Sequence, residues 1–129
     1  MSAILIRGGR VIDPANGLDA IADVLVAEGK IKVVGQVRDS DLKPFKSIAA
    51  GLETFNAKGL WVIPGLVDLR AHLGEPGNES SETIAGGAQA AVMGGVTTVA
   101  CMPDTDPPID SEAGVLYVLR QSERAGFAE

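Results

Sequence analysis

Asp68, Arg70 and His72 stand at alternate positions of the run Ile63-Pro-Gly-Leu-Val-Asp-Leu-Arg-Ala-His-Leu-Gly-Glu-Pro-Gly77, and Glu75 follows just beyond them. Alternate residues of an extended strand point the same way, so groups with this spacing can converge on one place. Carboxylate, guanidinium and imidazole groups therefore gather within about ten residues of an apolar run, where the chain passes from a core into polar chemistry. The apolar residues Ile63, Leu66 and Val67 come first and the ionisable ones after, as in a barrel strand that delivers reactive groups to its carboxyl-terminal rim. Each residue also has a plainer reading. A lone histidine at a strand end is often a hydrogen-bonded structural residue, and Asp68 can serve as a turn or capping acid.

The elements that must position this run can be read on both sides of it. Upstream, the β-branched runs 3–7, 10–12, 22–27 and 30–34 alternate with Gly8-Gly9, Asp13-Pro-Ala-Asn-Gly17 and Glu28-Gly29, which predicts short strands and turns in a small β-sandwich or open sheet. Residues 36–52 have mixed charge, and Pro44 argues for a loop with at most a helical turn or short strand. Strand character returns at 53–55 and 60–63. Downstream, a helix is predicted over 81–93 with Ser80 or Ser81 as its N-cap and Gly94-Gly95 as its stop. Gly86 and Gly87 inside it weaken the helix, a cost best accepted where a neighbour packs very close. Val96-Thr-Thr-Val-Ala-Cys101 reads as a strand buried on both faces, followed by the loop Met102-Pro-Asp-Thr-Asp-Pro-Pro-Ile109. A second helix, 112–125, is capped by Ser111 and closed by Gly126. Strand, helix, strand, helix in succession argues for a parallel α/β arrangement over 61–129, with 1–60 as a separate β part.

Composition narrows the classes of function. The chain has 129 residues, 46% of them hydrophobic, enough to supply a core. Eleven Lys and Arg against 17 Asp and Glu give a net charge of -6, which opposes a nucleic-acid partner. Cys101 is the single cysteine, so no internal disulfide forms, and the amino terminus lacks a signal-peptide pattern. The expected location is the cytoplasm. No apolar run approaches the roughly 20 residues that span a bilayer, so no membrane role is expected. Cys101 is expected to pack as a small apolar residue, and no phosphate-binding glycine pattern is present.

Several segments together carry a family resemblance: Asn56-Ala-Lys-Gly-Leu-Trp-Val-Ile-Pro-Gly-Leu-Val-Asp68, Glu75-Pro-Gly77, Glu82-Thr-Ile-Ala-Gly-Gly-Ala-Gln-Ala-Ala91, Gly94-Gly-Val-Thr-Thr-Val99 and Cys101-Met-Pro-Asp-Thr-Asp-Pro-Pro108. The chain resembles the amino-terminal part of the dihydroorotases, cyclic-amide hydrolases of the amidohydrolase superfamily. The resemblance implies a TIM-like (β/α)8 metal-dependent hydrolase barrel plus a small β-sandwich. It also implies zinc as the family's metal and pyrimidine biosynthesis as its setting. A whole barrel of this kind takes about 250 residues, so the chain is expected to supply the β-sandwich part and the first two strand and helix units, an incomplete barrel.

The family's motif at this strand is Asp-x-His-x-His-x-Arg-Glu-Pro-Gly, in which both histidines bind zinc and the arginine pairs with the substrate carboxylate. Here Asp68 and His72 match, which makes them the metal candidates the resemblance implies. Arg70 replaces the first histidine, and a guanidinium, which keeps its proton and offers no lone pair, cannot ligate a metal and repels one. Gly74 replaces the arginine. The family's Met-Pro-Asn-Thr loop, whose asparagine contacts the same carboxylate, reads Met102-Pro-Asp-Thr105, with Asp104 at the asparagine. The three departures remove a ligand, an anion contact and a neutral partner, and the glycines and prolines that shape the backbone are kept. The resemblance therefore implies a catalytically inactive, structural or regulatory relative that binds no zinc through this chain and carries no complete catalytic set. Such a relative would be an oligomer, with aspartate carbamoyltransferase as its partner. The alternative is a zinc-dependent dihydroorotase, allantoinase or hydantoinase at full length, and whether the protein is an enzyme stays open at this point. A further expectation is an ion pair between Arg70 and Asp104 in the former metal pocket. Solvated loop acids are the plainer reading of Asp104 and Asp106.

Overall fold

A computed structural model describes residues 3–46 and 51–126. The chain divides into two compact units, Met1–Pro64 and Gly65–Glu129.

The first unit is built on one long strand. β1 (Ala3–Asp13) pairs antiparallel with β2 (Leu18–Ala27), which pairs with β3 (Lys30–Gly35). β4 (Leu52–Asn56) and the short β5 (Trp61–Val62) both lie parallel to β1, giving the order β3-β2-β1-β4 with β5 beside β1. Glycine makes this strand continuous where the sequence suggests two. At Arg7-Gly8 the register slips between Ile6 and Gly9; Gly8 takes φ 69° and its N–H donates to Asp23 Oδ1 at 2.9 Å. A bulge thus replaces the expected break. Asp13 caps a single 3-10 turn, Pro14–Asn16, by accepting the Ala15 and Asn16 N–H groups. β2 starts at Leu18, earlier than its valine run suggests, and there the Arg10 guanidinium grips the Asp19 carboxylate with two bonds of 2.7 Å. This fork holds the Asp19 carboxyl below the usual carboxylate range.

Pro44 does not exclude a helix. α1 (Asp39–Lys46) contains it, and Asp41 accepts the Arg38 N–H at 2.8 Å at its start; residues 47–50 of the expected loop lie outside the described residues. Burial overrides the local penalty: Leu42 is 4% exposed, and it joins Leu5, Leu25 and Val37 in a core flanked by Val33, Phe45 and Leu52. The described residues of this unit therefore form one sheet covered by a helix, which is the open-sheet form of the sequence expectation. One apolar face of β1 and β2 is covered by Leu42 and Phe45 of α1.

The second unit is strand, helix, strand, helix: β6 (Leu66–Ala71), α2 (Ile84–Met93), β7 (Val96–Cys101) and α3 (Glu112–Ala125). β6 and β7 are parallel, and α2 packs on both β7 and α3. Thr83, not Ser80 or Ser81, caps α2 by accepting the Gly86 N–H at 3.0 Å. Ser111 and Gly126 close α3 as its sequence indicates, Gly126 with φ 67°. β7 has the expected bounds but not the expected burial, since Thr97, Thr98 and Ala100 are exposed. β6 is more open still, with Leu66, Val67 and Leu69 at 48%, 56% and 78% exposure. A two-stranded parallel sheet with bare apolar side chains is a template for further association. Among the described residues, no helix is long and apolar enough to cross a membrane.

The purified 129-residue chain is accordingly expected to sediment as oligomers or aggregates, and Leu69→Lys is expected to raise the monomer fraction. A monodisperse, cooperatively unfolding monomer that the substitution leaves unchanged would contradict this.

Candidate functional site

Parallel pairing brings the carboxyl ends of β6 and β7 side by side, so the segments that follow them, 72–83 and 102–111, meet. Backbone contacts sew them together. Met102 N–H donates to Ala71 O at 2.8 Å, and Asp106 N–H to Pro76 O at 3.1 Å. Gly77, at φ 102°, lies so close to the Asp106 backbone that a Cβ there would collide with it. Leu73 is fixed from the helix side, since a Cβ on Gly87 would fall 2.5 Å from its Cδ2. The costly glycine pair of α2 is thus used, at Gly87, to let the strand end approach.

The ionisable residues of the strand do not converge as their spacing suggests. Asp68 pairs with Val99 and Ala71 with Cys101, so β6 carries one more residue than β7 between these points. This bulge breaks the strict alternation that would align positions 68, 70 and 72. Inside it, Asp68 Oδ1 accepts the Arg70 N–H at 2.9 Å, so the acid serves the local backbone. Asp68 has the turn-acid role, one of its two sequence readings.

His72 and Asp104 meet directly. Nδ1 lies 2.5 Å from Asp104 Oδ2, with the two side chains 57% and 52% exposed. A carboxylate only accepts, so the ring nitrogen donates. The expected pair between Arg70 and Asp104 is corrected: Asp104 turns to the imidazole, because parallel register sets its loop against the end of β6, and Arg70 lies within the bulge. Arg70 itself is exposed. Gly74 sits at φ 66°, where a Cβ would lie 2.9 Å from the Glu82 carbonyl oxygen.

Glu75 and Tyr117 carry a role that the sequence does not advertise. Glu75 Oε2 accepts the Ile84 N–H at 2.9 Å, at the first turn of α2, and Oε1 accepts the Tyr117 hydroxyl at 2.7 Å. One carboxylate thereby holds the loop after β6 to both helices. Glu75 belongs to the recognisable Glu-Pro-Gly triplet, but nothing local marks Tyr117 as its partner, 42 residues away. The hydrogen bond to Glu75 raises the Tyr117 pKa above the usual phenol value. Cys101 is half-buried and lines an apolar cavity of about 260 Å³ with Leu73, Ile84, Ala88, Val99 and Val118.

The zinc implied by the resemblance does not fit the donors of this strand end. Arg70 supplies no lone pair, Asp68 spends an oxygen on the Arg70 N–H, and His72 is left as the one nitrogen donor. One imidazole is a poor substitute for the three or four protein ligands of a zinc site. Among the described residues, no three of His, Cys, Asp and Glu cluster as a metal cage.

Comparison with solved structures first defines the class. The chain is similar to the L-hydantoinase (dihydropyrimidinase) of Arthrobacter aurescens, with a TM-score of 0.71 and 26% identity, over 92% of this chain and 24% of that one. A D-hydantoinase from Thermus sp. gives a TM-score of 0.65 and 27% identity over the same shares. The arrangement is that of part of these hydantoinases, members of the amidohydrolase superfamily. More narrowly, residues 59–125 match the family described as dihydro-orotase-like, and the chain belongs to that family. It is 43% identical to the dihydroorotase of Trichlorobacter lovleyi over 123 residues, which is 95% of this chain and 27% of that protein. The dihydroorotase of Pelobacter propionicus is 45% identical over 124 residues. The chain therefore spans about a quarter of the length of the curated relatives it matches.

Two outcomes follow from this geometry. In the Leu69→Lys background, Gly74→Arg is expected to destabilise the chain by about 1–3 kcal/mol in denaturant unfolding, from the left-handed backbone and the Glu82 carbonyl; an unchanged midpoint would contradict the close approach. Tyr117, the single tyrosine of the sequence, is expected to ionise at lower pH in Glu75→Ala than in the parent, read by ultraviolet titration of the phenolate. Because its folded pKa is raised, the stabilisation from this bond is complete below the usual phenol pKa of about 10 and disappears as pH rises through the folded value.

Proposed function

We propose that the protein is a dihydroorotase-like polypeptide of pyrimidine biosynthesis that does not hydrolyse dihydroorotate and serves as a structural or regulatory partner. The observation that carries this reading is the altered rim: Arg70 stands at a ligand position, and the Asp104 carboxylate, at a substrate-contacting position, is turned onto His72. A substrate carboxylate would meet a carboxylate at 104 and no cation at Gly74. The two strand and helix units are the opening of a (β/α)8 barrel, and the exposed apolar residues of β6 are where the adjoining barrel wall would pack. We further place the protein in the cytoplasm, as an oligomer assembled with aspartate carbamoyltransferase.

A second reading is favoured by Gly74 and by the likeness to hydantoinases: hydrolysis of a cyclic ureide that carries no carboxylate, as in an allantoinase or hydantoinase. Arg70 weighs against it as against any two-histidine zinc site.

The test is metal analysis of the full-length gene product together with assays on dihydroorotate, hydantoin and allantoin. Substoichiometric zinc and no turnover are expected. Stoichiometric zinc with dihydroorotate turnover would overturn the proposal, and turnover of the ureides alone would establish the second reading.

A further inference from the structure

We propose that Asp104 is a positioning residue for His72, fixing the neutral imidazole as its Nδ1–H tautomer and presenting Nε2 at the rim as an acceptor for an N–H or O–H donor. The argument starts from inventory. A neutral imidazole has one donor nitrogen and one acceptor nitrogen, and the hydrogen bond made by one decides the other. Nδ1 faces the Asp104 carboxylate at 2.5 Å, and a carboxylate has no proton to give, so Nδ1 keeps the hydrogen. Nε2 then holds the lone pair.

The contact is held from several sides. Asp104 follows β7 directly, with the Met102 N–H on Ala71 O anchoring the crossing and the Asp106 N–H on Pro76 O holding the loop beyond it. Within that loop the Thr105 hydroxyl donates to Pro107 O at 2.8 Å, and the Ile109 N–H donates to Pro103 O at 3.2 Å. On the other side Leu73, next to His72, is wedged against Gly87 of α2. Both partners thus sit on restrained backbone, so the orientation is built in rather than left to two free side chains. The ring is 57% exposed, which leaves it accessible to a ligand from solvent. Arg70, two residues earlier, adds a fixed positive charge that favours a neutral or anionic donor over a cation. The inference goes beyond the proposed function and stands whether or not the protein turns over a cyclic amide.

His72 is the single histidine of the sequence, so one labelled imidazole reports the state without ambiguity. The experiment is ¹⁵N-histidine labelling of the 129-residue chain carrying Leu69→Lys, the substitution expected to raise its monomer fraction, with long-range proton–nitrogen correlation at alkaline pH, where imidazole is neutral. The same chain in urea supplies the ratio of an unconstrained ring, in which the Nε2–H form dominates. In the folded chain the protonated nitrogen is expected to be Nδ1, and Asp104→Ala is expected to return the ring to the urea ratio. An Nε2–H ring in the folded parent would overturn the proposal, and that spectrum decides alone if the variant does not fold. An Nδ1–H ring retained in a folded Asp104→Ala variant would overturn it equally.

Discussion

Parallel pairing of β6 with β7 is the constraint on which the site depends. In a parallel sheet the carboxyl ends of neighbouring strands lie together, so loops far apart in sequence become neighbours. His72 and Asp104 are 32 residues apart, and nothing but this register puts them in contact. The pairing also sets the segments around Pro76 and Asp106 against each other, which closes the rim on itself. The helices hold this arrangement through the packing of α2 on β7 and Leu73 and through one carboxylate, Glu75, shared between the start of α2 and the side of α3.

Substitutions at the rim are physically connected rather than independent losses. Arg70 gives up a lone pair and Gly74 gives up a cation, and both changes disfavour the family's metal and substrate carboxylate. Asp104 then adds a negative charge where the family has an amide, but that charge is not left facing the pocket unpaired. It accepts a hydrogen bond from His72, so two of the rim's ionisable residues satisfy one another. Asp68 is likewise occupied, by the backbone of the bulge it stabilises. A set of residues that reads in one dimension as a degraded metal motif is, in three, a closed hydrogen-bonded rim with one imidazole nitrogen left over.

Much of the second unit was legible before any coordinates. The β-branched run of β7, the serine cap and glycine stop of α3, and the glycine-permitted approach to α2 are each encoded within a few residues. The cap of α2 was misplaced because Ser80, Ser81 and Thr83 are chemically equivalent candidates, and the choice among them is made by Glu75, which accepts the Ile84 N–H from outside the helix. In the first unit Pro44 was a misleading signal. Its local cost is real, yet an eight-residue helix survives because Leu42 and Phe45 cover the sheet.

By itself the sequence determined which atoms the rim has to work with. Residue type settles that Arg70 cannot ligate, that Gly74 carries no charge and that one histidine is present, and local periodicity settles the order of strands and helices in the second unit. Tertiary structure alone decided how those atoms are used: the bulge that takes Asp68 out of line, the turn of Asp104 towards His72 instead of Arg70, and the bond from Tyr117 to Glu75 across 42 residues. Caps and turns are satisfied within a few residues and so leave a local imprint. Register and side-chain pairing across parallel strands are set by packing between distant segments, where a slip of one residue re-aims every side chain that follows.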